Sequence, residues 1–128
     1  MNRHQARRMA FTLIYQHSFG MQNSYSDLYT HTCIEHEGET DQYVASVVAA
    51  MDANLDEIDS RISAHAKGWE LGRISRVTLS ILRLSICEVS YCDIPREVSI
   101  NEAVELAKEF DTDEAPAFVN GVLDKAIK

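Results

Sequence analysis

The segment from Ser75 to Tyr91 most limits what this chain can become. Val77, Leu79, Ile81, Leu82, Leu84, Ile86 and Val89 put apolar surface on several sides of one helix. A helix lying on a surface shows a single apolar stripe, whereas one that is apolar around much of its circumference is enclosed by others. Ser75 stands where an N-cap is expected. The remaining residues must therefore supply helices that pack around this one.

They have the periodicity to do so. At about 100° per residue, Arg3 to His17 read as an amphipathic helix. Ala6, Met9, Ala10, Leu13 and His17 fall on one side; Arg3, His4, Arg7, Arg8, Phe11 and Tyr15 fall on the other. Gly20 ends that element. Ser24 to about His36 carry a weaker helical pattern, which Gly38 breaks. Tyr43, Val44, Val47, Val48 and Met51 have helical spacing, and Asn54 or Asp56 can cap a further helix containing Ile58 and Ile62. Gly68 and Gly72 flank Trp69 and Leu71 in a connector.

After the central helix, Pro95 ends what precedes it, because it lacks an N–H and restricts the residue before it. Ser99 and Glu102 have capping-box spacing. Ala103, Leu106, Ala107 and Phe110 then form one helix face. Thr112 or Asp113 can cap a last helix that buries Phe118, Val119, Val122, Leu123 and Ala126, with Pro116 tolerated in its first turn. Asn101 reads as a structural amide near the start of its helix. Asn120-Gly121 is formally a hairpin signal, but the helical spacing around it prevails. Gly121 then reads as a point of close approach for a helix or a ligand. The expected fold is all-α, one compact domain over residues 1–128 with six or seven helices.

Composition narrows the function. The chain has 128 residues, long enough for one real core, and no apolar run near the roughly 20 residues that span a bilayer. The N-terminus is charged without a long apolar region, which excludes a secretory signal. Cys33, Cys87 and Cys92 have no metal-like spacing and fit reduced thiols in a cytoplasmic protein. The net charge of −8 argues at first against nucleic acid, but it is unevenly spread. No acid precedes Asp27, while Arg3, Arg7 and Arg8 do. Arg61, Lys67, Arg73, Arg76 and Arg83 face only Glu70 between Ser60 and Cys87. Local potential decides where a polyanion lands.

The first helix carries the sharpest chemical signal. Arg3 and Arg7 are one turn apart, as are His4 and Arg8, and Phe11 and Tyr15 continue that side. Cations neutralise phosphates and aromatics stack on unpaired bases, which is how single-stranded RNA is held. The competing reading is a solvated basic helix start with Phe11 and Tyr15 packed on a neighbour. Cations at a helix N-terminus oppose its dipole, so their placement there calls for a reason. His31, Cys33, Glu35, His36, Glu37, Glu39 and Asp41 could ligate metal, but the spacing matches no structural zinc pattern, and a solvated acidic loop explains them better. No Gly-rich phosphate loop, HExxH or Gly-x-Ser-x-Gly is present.

Specific wording adds to this. Ile94-Pro95, Val98, the run Ile100 to Lys108, Phe110, and Phe118-Val119-Asn120-Gly121-Val122-Leu123-Asp124 resemble the NusB family of bacterial transcription antitermination factors. Arg3, Arg7, Leu13, Tyr15, Trp69, Arg73, Ile81 to Leu84 and Glu88 match it more loosely, in the same order. The segment from Gly20 to about Val47 carries almost none of the likeness.

The resemblance implies a helical fold of two small bundles, no cofactor and no catalytic residues. It implies binding of box A single-stranded RNA from ribosomal RNA leaders, jointly with a small ribosomal-subunit protein. RNA polymerase and other Nus factors would be indirect partners, and the outcome would be resistance to Rho-dependent termination. RNA contacts are expected from Arg3, His4, Arg7, Arg8, Phe11, Phe118 and Asn120, at a seam between the first helix and Phe118–Gly121. Docking of the ribosomal protein is expected at Tyr15, Arg73, Arg76 and Thr78, although Thr78 stands where many members carry an acid. A second copy of the chain is a further candidate partner, because Phe11 and Tyr15 could be buried by dimerisation. Two rivals stand beside this reading. One is the NusB-like extension of a ribosomal RNA cytosine methyltransferase, for which a chain ending at Lys128 leaves no catalytic domain. The other is a protein-binding helical scaffold.

Overall fold

The structure, a computed structural model, describes residues 1–35 and 38–127. Six α-helices follow one another: α1 Arg3–His17, α2 Tyr25–Glu35, α3 Gln42–His65, α4 Arg76–Tyr91, α5 Arg96–Phe110 and α6 Ala115–Ala126, with a 3-10 turn at Leu71–Arg73 before α4. No strand occurs among the described residues. No described helix is long and apolar enough to cross a membrane. The helix starts are chemically specified. Asn2 and Gln5 form a reciprocal capping box on α1, Asp41 accepts from the Val44 N–H at α3, and Ser75 accepts from the Thr78 N–H at α4.

Three boundaries differ from the sequence reading. The two expected helices over Tyr43–Ile62 are one element, bent at Asn54 (φ −132°, ψ 15°), whose side-chain amide donates to the Ala50 carbonyl. Ser99 does not open α5. The helix starts at Arg96 behind Pro95, so Ser99 lies one turn inside and is 1% exposed. Proline suits a helix start because its missing N–H would have had no helical partner. At α6, neither Thr112 nor Asp113 caps through its side chain; Glu114 holds the N-cap position without a side-chain bond.

α1, α2 and α3 pack on one another, as do α4, α5 and α6; α4 joins the two groups by packing on α1 and α3. This is the two-bundle arrangement, with α4 enclosed as its apolar circumference required. Every residue from Thr78 to Glu88 is buried. Ile81, Leu82 and Ile86 are fully buried, each contributing about 1.5–3 kcal/mol of burial energy. Arg96 ties the bundle end by donating to the Ile127 and Asp124 carbonyls at the close of α6.

Candidate nucleic-acid interface

A buried polar knot sits where α1 meets α4. Glu88 is 1% exposed in the middle of the core. A lone carboxylate there would be prohibitively costly, and it is fully partnered instead. Arg7 Nε donates to Glu88 Oε2 at 2.7 Å, the Tyr43 hydroxyl donates to the same oxygen, and Ser99 Oγ donates to Oε1 at 2.8 Å. Burial works against the Arg7 charge, but the hydrogen bond and attraction to Glu88 outweigh it and raise its pKa. Burial, then the Glu88 charge and hydrogen bond, push the Tyr43 hydroxyl well above its ordinary value.

This corrects the expected row of solvent-facing cations. Arg7 is 4% exposed and already engaged, so it is not free to meet a phosphate. Phe11, at 5% exposure, is likewise covered by its own chain, not by a second copy. The physical reason is that α1 packs on α2, α3 and α4 together. Its buried arc is wider than one amphipathic stripe and includes Arg7, Phe11 and Ile14. The signal for Arg7 was readable: an acid within an apolar central helix requires a buried cation partner.

Arg3, His4 and Arg8 remain on the outside. Arg3 is exposed, with its guanidinium 4.8 Å from the Tyr43 ring centroid. His4 lies 4.0 Å from Glu102. Arg8 pairs with Glu109 at the surface and lies 5.0 Å over the Phe110 ring. From there an aromatic run crosses the molecule. Phe110 stacks on Phe11 at 5.3 Å, Phe11 on Tyr15 at 6.3 Å, and Tyr15 meets Phe19 edge-on at 5.1 Å. Arg76 closes the run 4.6 Å over Phe19. Phe110, assigned to the core from its spacing, is 40% exposed, and Phe19 is 57% exposed. Phe19 continues the four-residue spacing of Phe11 and Tyr15, the sequence signal that marks it as part of the same run.

The remaining expected residues divide between two places. Tyr15 and Arg76 belong to the aromatic run. Thr78, Arg73 and Phe118 line a cleft of about 410 Å³ with Trp69 and Asp111. Thr78 is buried, and its hydroxyl donates to Asp111 Oδ2. The chain thus carries a carboxylate from the α5–α6 turn beside the position where many relatives were expected to have one on α4. Arg73 is exposed, and its guanidinium has no partner among the described residues. Asn120 is exposed and lies outside the cleft lining.

The expected seam between α1 and Phe118–Gly121 is not a packed junction: α6 packs on α3, α4 and α5. No other helix of this chain closely approaches Gly121, since a Cβ there would meet nothing within 4 Å. Three of the candidate metal ligands are engaged within the fold. Cys33 is buried on α2, Glu39 pairs with the N-terminal amine, and Asp41 caps α3. His36, Glu37 and Lys128 lie outside the described residues.

Comparison with known proteins agrees with this geometry. The model of the NusB family matches residues 4–128. The transcription antitermination protein NusB of Natranaerobius thermophilus is 40% identical, over 98% of this chain and 94% of that protein. A solved T. maritima NusB superposes with TM-score 0.86 at 30% identity, covering 98% of this chain and 90% of the other. A structure of antitermination factors NusB and NusE in complex with dsRNA is similar at TM-score 0.82 and 26% identity, covering 98% and 97%. A family match over nearly the whole length, on a fold that positions the same helices, places this chain in the NusB family of transcription antitermination proteins.

Proposed function

We propose that the protein is an RNA-binding adaptor, not an enzyme, that works as one unit. It grips box A RNA together with a small ribosomal-subunit protein and holds that assembly on elongating polymerase with other Nus factors. The polymerase then resists Rho-dependent termination. The observation that carries this reading is the aromatic run from Phe110 over the buried Phe11 to Tyr15 and Phe19, with Arg3, His4 and Arg8 towards one end and Arg76 at the other. Cations at both ends neutralise phosphates, and the exposed Phe110 and Phe19, with the half-buried Tyr15, offer stacking faces.

The surface pair of Arg8 and Glu109 does not obstruct this. Exposed ion pairs are worth about 0–1 kcal/mol, so a phosphate can displace Glu109 at little expense. Arg7 acts behind the interface by holding α1 in register. Tyr15 and Arg76, at the far end of that run, also border the edge where the ribosomal protein docks, so strand and partner meet there. Asn120 stays available to a base edge on the outer face of α6. That a related NusB–NusE pair has been solved with RNA supports the joint mode of binding.

That related complex holds double-stranded RNA, whereas a duplex hides its base faces from stacking. The test is titration of box A RNA, a scrambled strand and a duplex, with and without the ribosomal protein. Preference for the single box A strand, strengthened by the protein, is expected. Equal, weak binding to all three would leave a protein scaffold as the better description.

A further inference from the structure

We propose that Tyr43 is a positioning residue for RNA binding, whose buried ring holds the Arg3 guanidinium at the surface with its charge intact. The inference rests on the RNA reading above and names what orients one of its cations.

The three arginines of α1 are held in different ways. Arg7 is paired with Glu88 inside the molecule, and Arg8 with Glu109 at the surface. Arg3 has no acidic partner among the described residues. No acid stands in the first turn of α1 to draw it in, and the dipole of that helix end opposes a cation. What meets its side chain is Tyr43, the second residue of α3, with the guanidinium carbon 4.8 Å from the ring centroid. That separation is within the reach of cation–π attraction.

The ring is a fixed platform. Tyr43 is 7% exposed, and its hydroxyl donates to Glu88 Oε2, the same oxygen that accepts from Arg7 Nε. The Arg7 guanidinium also lies 5.4 Å from this ring centroid. Arg3 and Arg7, one turn apart on α1, thus share one aromatic partner. The buried polar knot fixes the ring, and the ring carries that order outward to Arg3.

An aromatic holder suits a phosphate contact better than an acid does. A carboxylate in that place would fix Arg3 but cancel its charge and occupy its donors. A ring is uncharged and leaves the five guanidinium N–H donors to a phosphate. An arginine that is already ordered also loses less freedom when RNA arrives. Ordering one such side chain in advance corresponds to about twofold to tenfold in affinity.

Tyr43→Phe and Tyr43→Leu both remove the bond to Glu88, but only the second removes the ring. Each is made in the full chain, alone and together with Arg3→Ala, and titrated with fluorescein-labelled box A RNA at several salt concentrations. Circular dichroism checks helix content. Tyr43→Leu should bind about twofold to tenfold more weakly than Tyr43→Phe. The two should share one slope of log K against log salt, because the Arg3 charge is present in both. With Arg3→Ala in place, the two Tyr43 variants should bind alike. In the unaltered protein, NMR should give the Arg3 Nε–H a clearly positive heteronuclear NOE and its δ-methylene protons an upfield ring-current shift. That measurement decides the matter even if Tyr43→Leu misfolds.

Equal affinity of the Phe and Leu variants would overturn the role of the ring, as would an Arg3 side chain with unshifted, freely averaging signals. A deficit of Tyr43→Leu that persists beside Arg3→Ala would make Tyr43 a purely structural residue and overturn the proposal too. Undiminished box A binding by Arg3→Ala would remove Arg3 from the interface, overturning the proposal and leaving the general RNA reading intact. No preference of the unaltered protein for box A over a scrambled strand would end both.

Discussion

Arg7 and Glu88, 81 residues apart in the chain, meet at 2.7 Å in the centre of the molecule and lock α1 onto α4. Both side chains are at most 5% exposed. A buried ion pair is a weak source of net stability, but breaking one leaves a charge stranded. Arg7→Ala should therefore cost about 3–5 kcal/mol in a urea unfolding curve. A loss below about 1 kcal/mol would show that Glu88 is adequately held by Tyr43 and Ser99 without the arginine.

Arg3 is the counterpart on the outside. Its contact with the Tyr43 ring is of the exposed cation–π kind, so Arg3→Ala should cost less than about 1 kcal/mol of stability. If Arg3 meets a phosphate, the slope of log K against log salt should fall by about 0.7. Arg7→Ala, measured on its folded fraction, should leave the slope unchanged. The reverse pattern would place Arg7, not Arg3, against the strand.

Two buried tyrosines set an alkaline limit to stability. Burial first, with Asp59 and Asp52 adding to it against an opposing Arg83, pushes Tyr25 from 10 up to about 12. Tyr43 is also raised, by burial and by Glu88. Below pH 10 both folded and unfolded chains keep these protons, and the full contribution is present. Between pH 10 and 12 the unfolded chain ionises first, so stability falls as pH rises through that window. Tyr25 alone should remove about 3 kcal/mol across it. Unfolding curves at pH 9 and about 11.5 that agree within error would contradict this assignment.

The Tyr25 hydroxyl is buried and meets no partner among the described residues. An unpaired buried polar group costs about 1–3 kcal/mol. Tyr25→Phe keeps the ring stacked 3.8 Å from His17 and removes the hydroxyl. The variant should be about 1 kcal/mol more stable at neutral pH and lose less on going alkaline. A destabilised variant would reveal a partner for that oxygen.

Gly121 lies inside α6 with open space where a Cβ would stand. Alanine is about 1 kcal/mol better than glycine in a helix interior. Gly121→Ala should raise the thermal midpoint without weakening box A binding. A more stable protein that binds RNA less well would mean that the strand runs along the α6 backbone.

Much of this molecule was legible before any coordinates. The 3.6-residue period identified the helices, because one face of each must leave water. The apolar circumference of Ser75–Tyr91 marked the enclosed helix, and Ser75, Gly20 and Pro95 marked ends because their backbone chemistry is local. Ser99 misled for the same reason: its spacing to Glu102 satisfies a local rule, but its hydroxyl was needed by Glu88 on another helix.

The family wording and the basic opening of the chain pointed to RNA without help from the fold. Which of those cations reaches solvent was a separate question. A helical wheel assigns faces relative to one partner, whereas α1 has three, so Arg7 and Phe11 turned inward while Arg3, His4 and Arg8 stayed out. The junction of Trp69 and Phe118, and the bond between Thr78 and Asp111, join residues 49 and 33 positions apart. Periodicity and capping act over a few residues along one helix. Contacts of that span exist only once separate helices have packed, so the tertiary structure alone decided them.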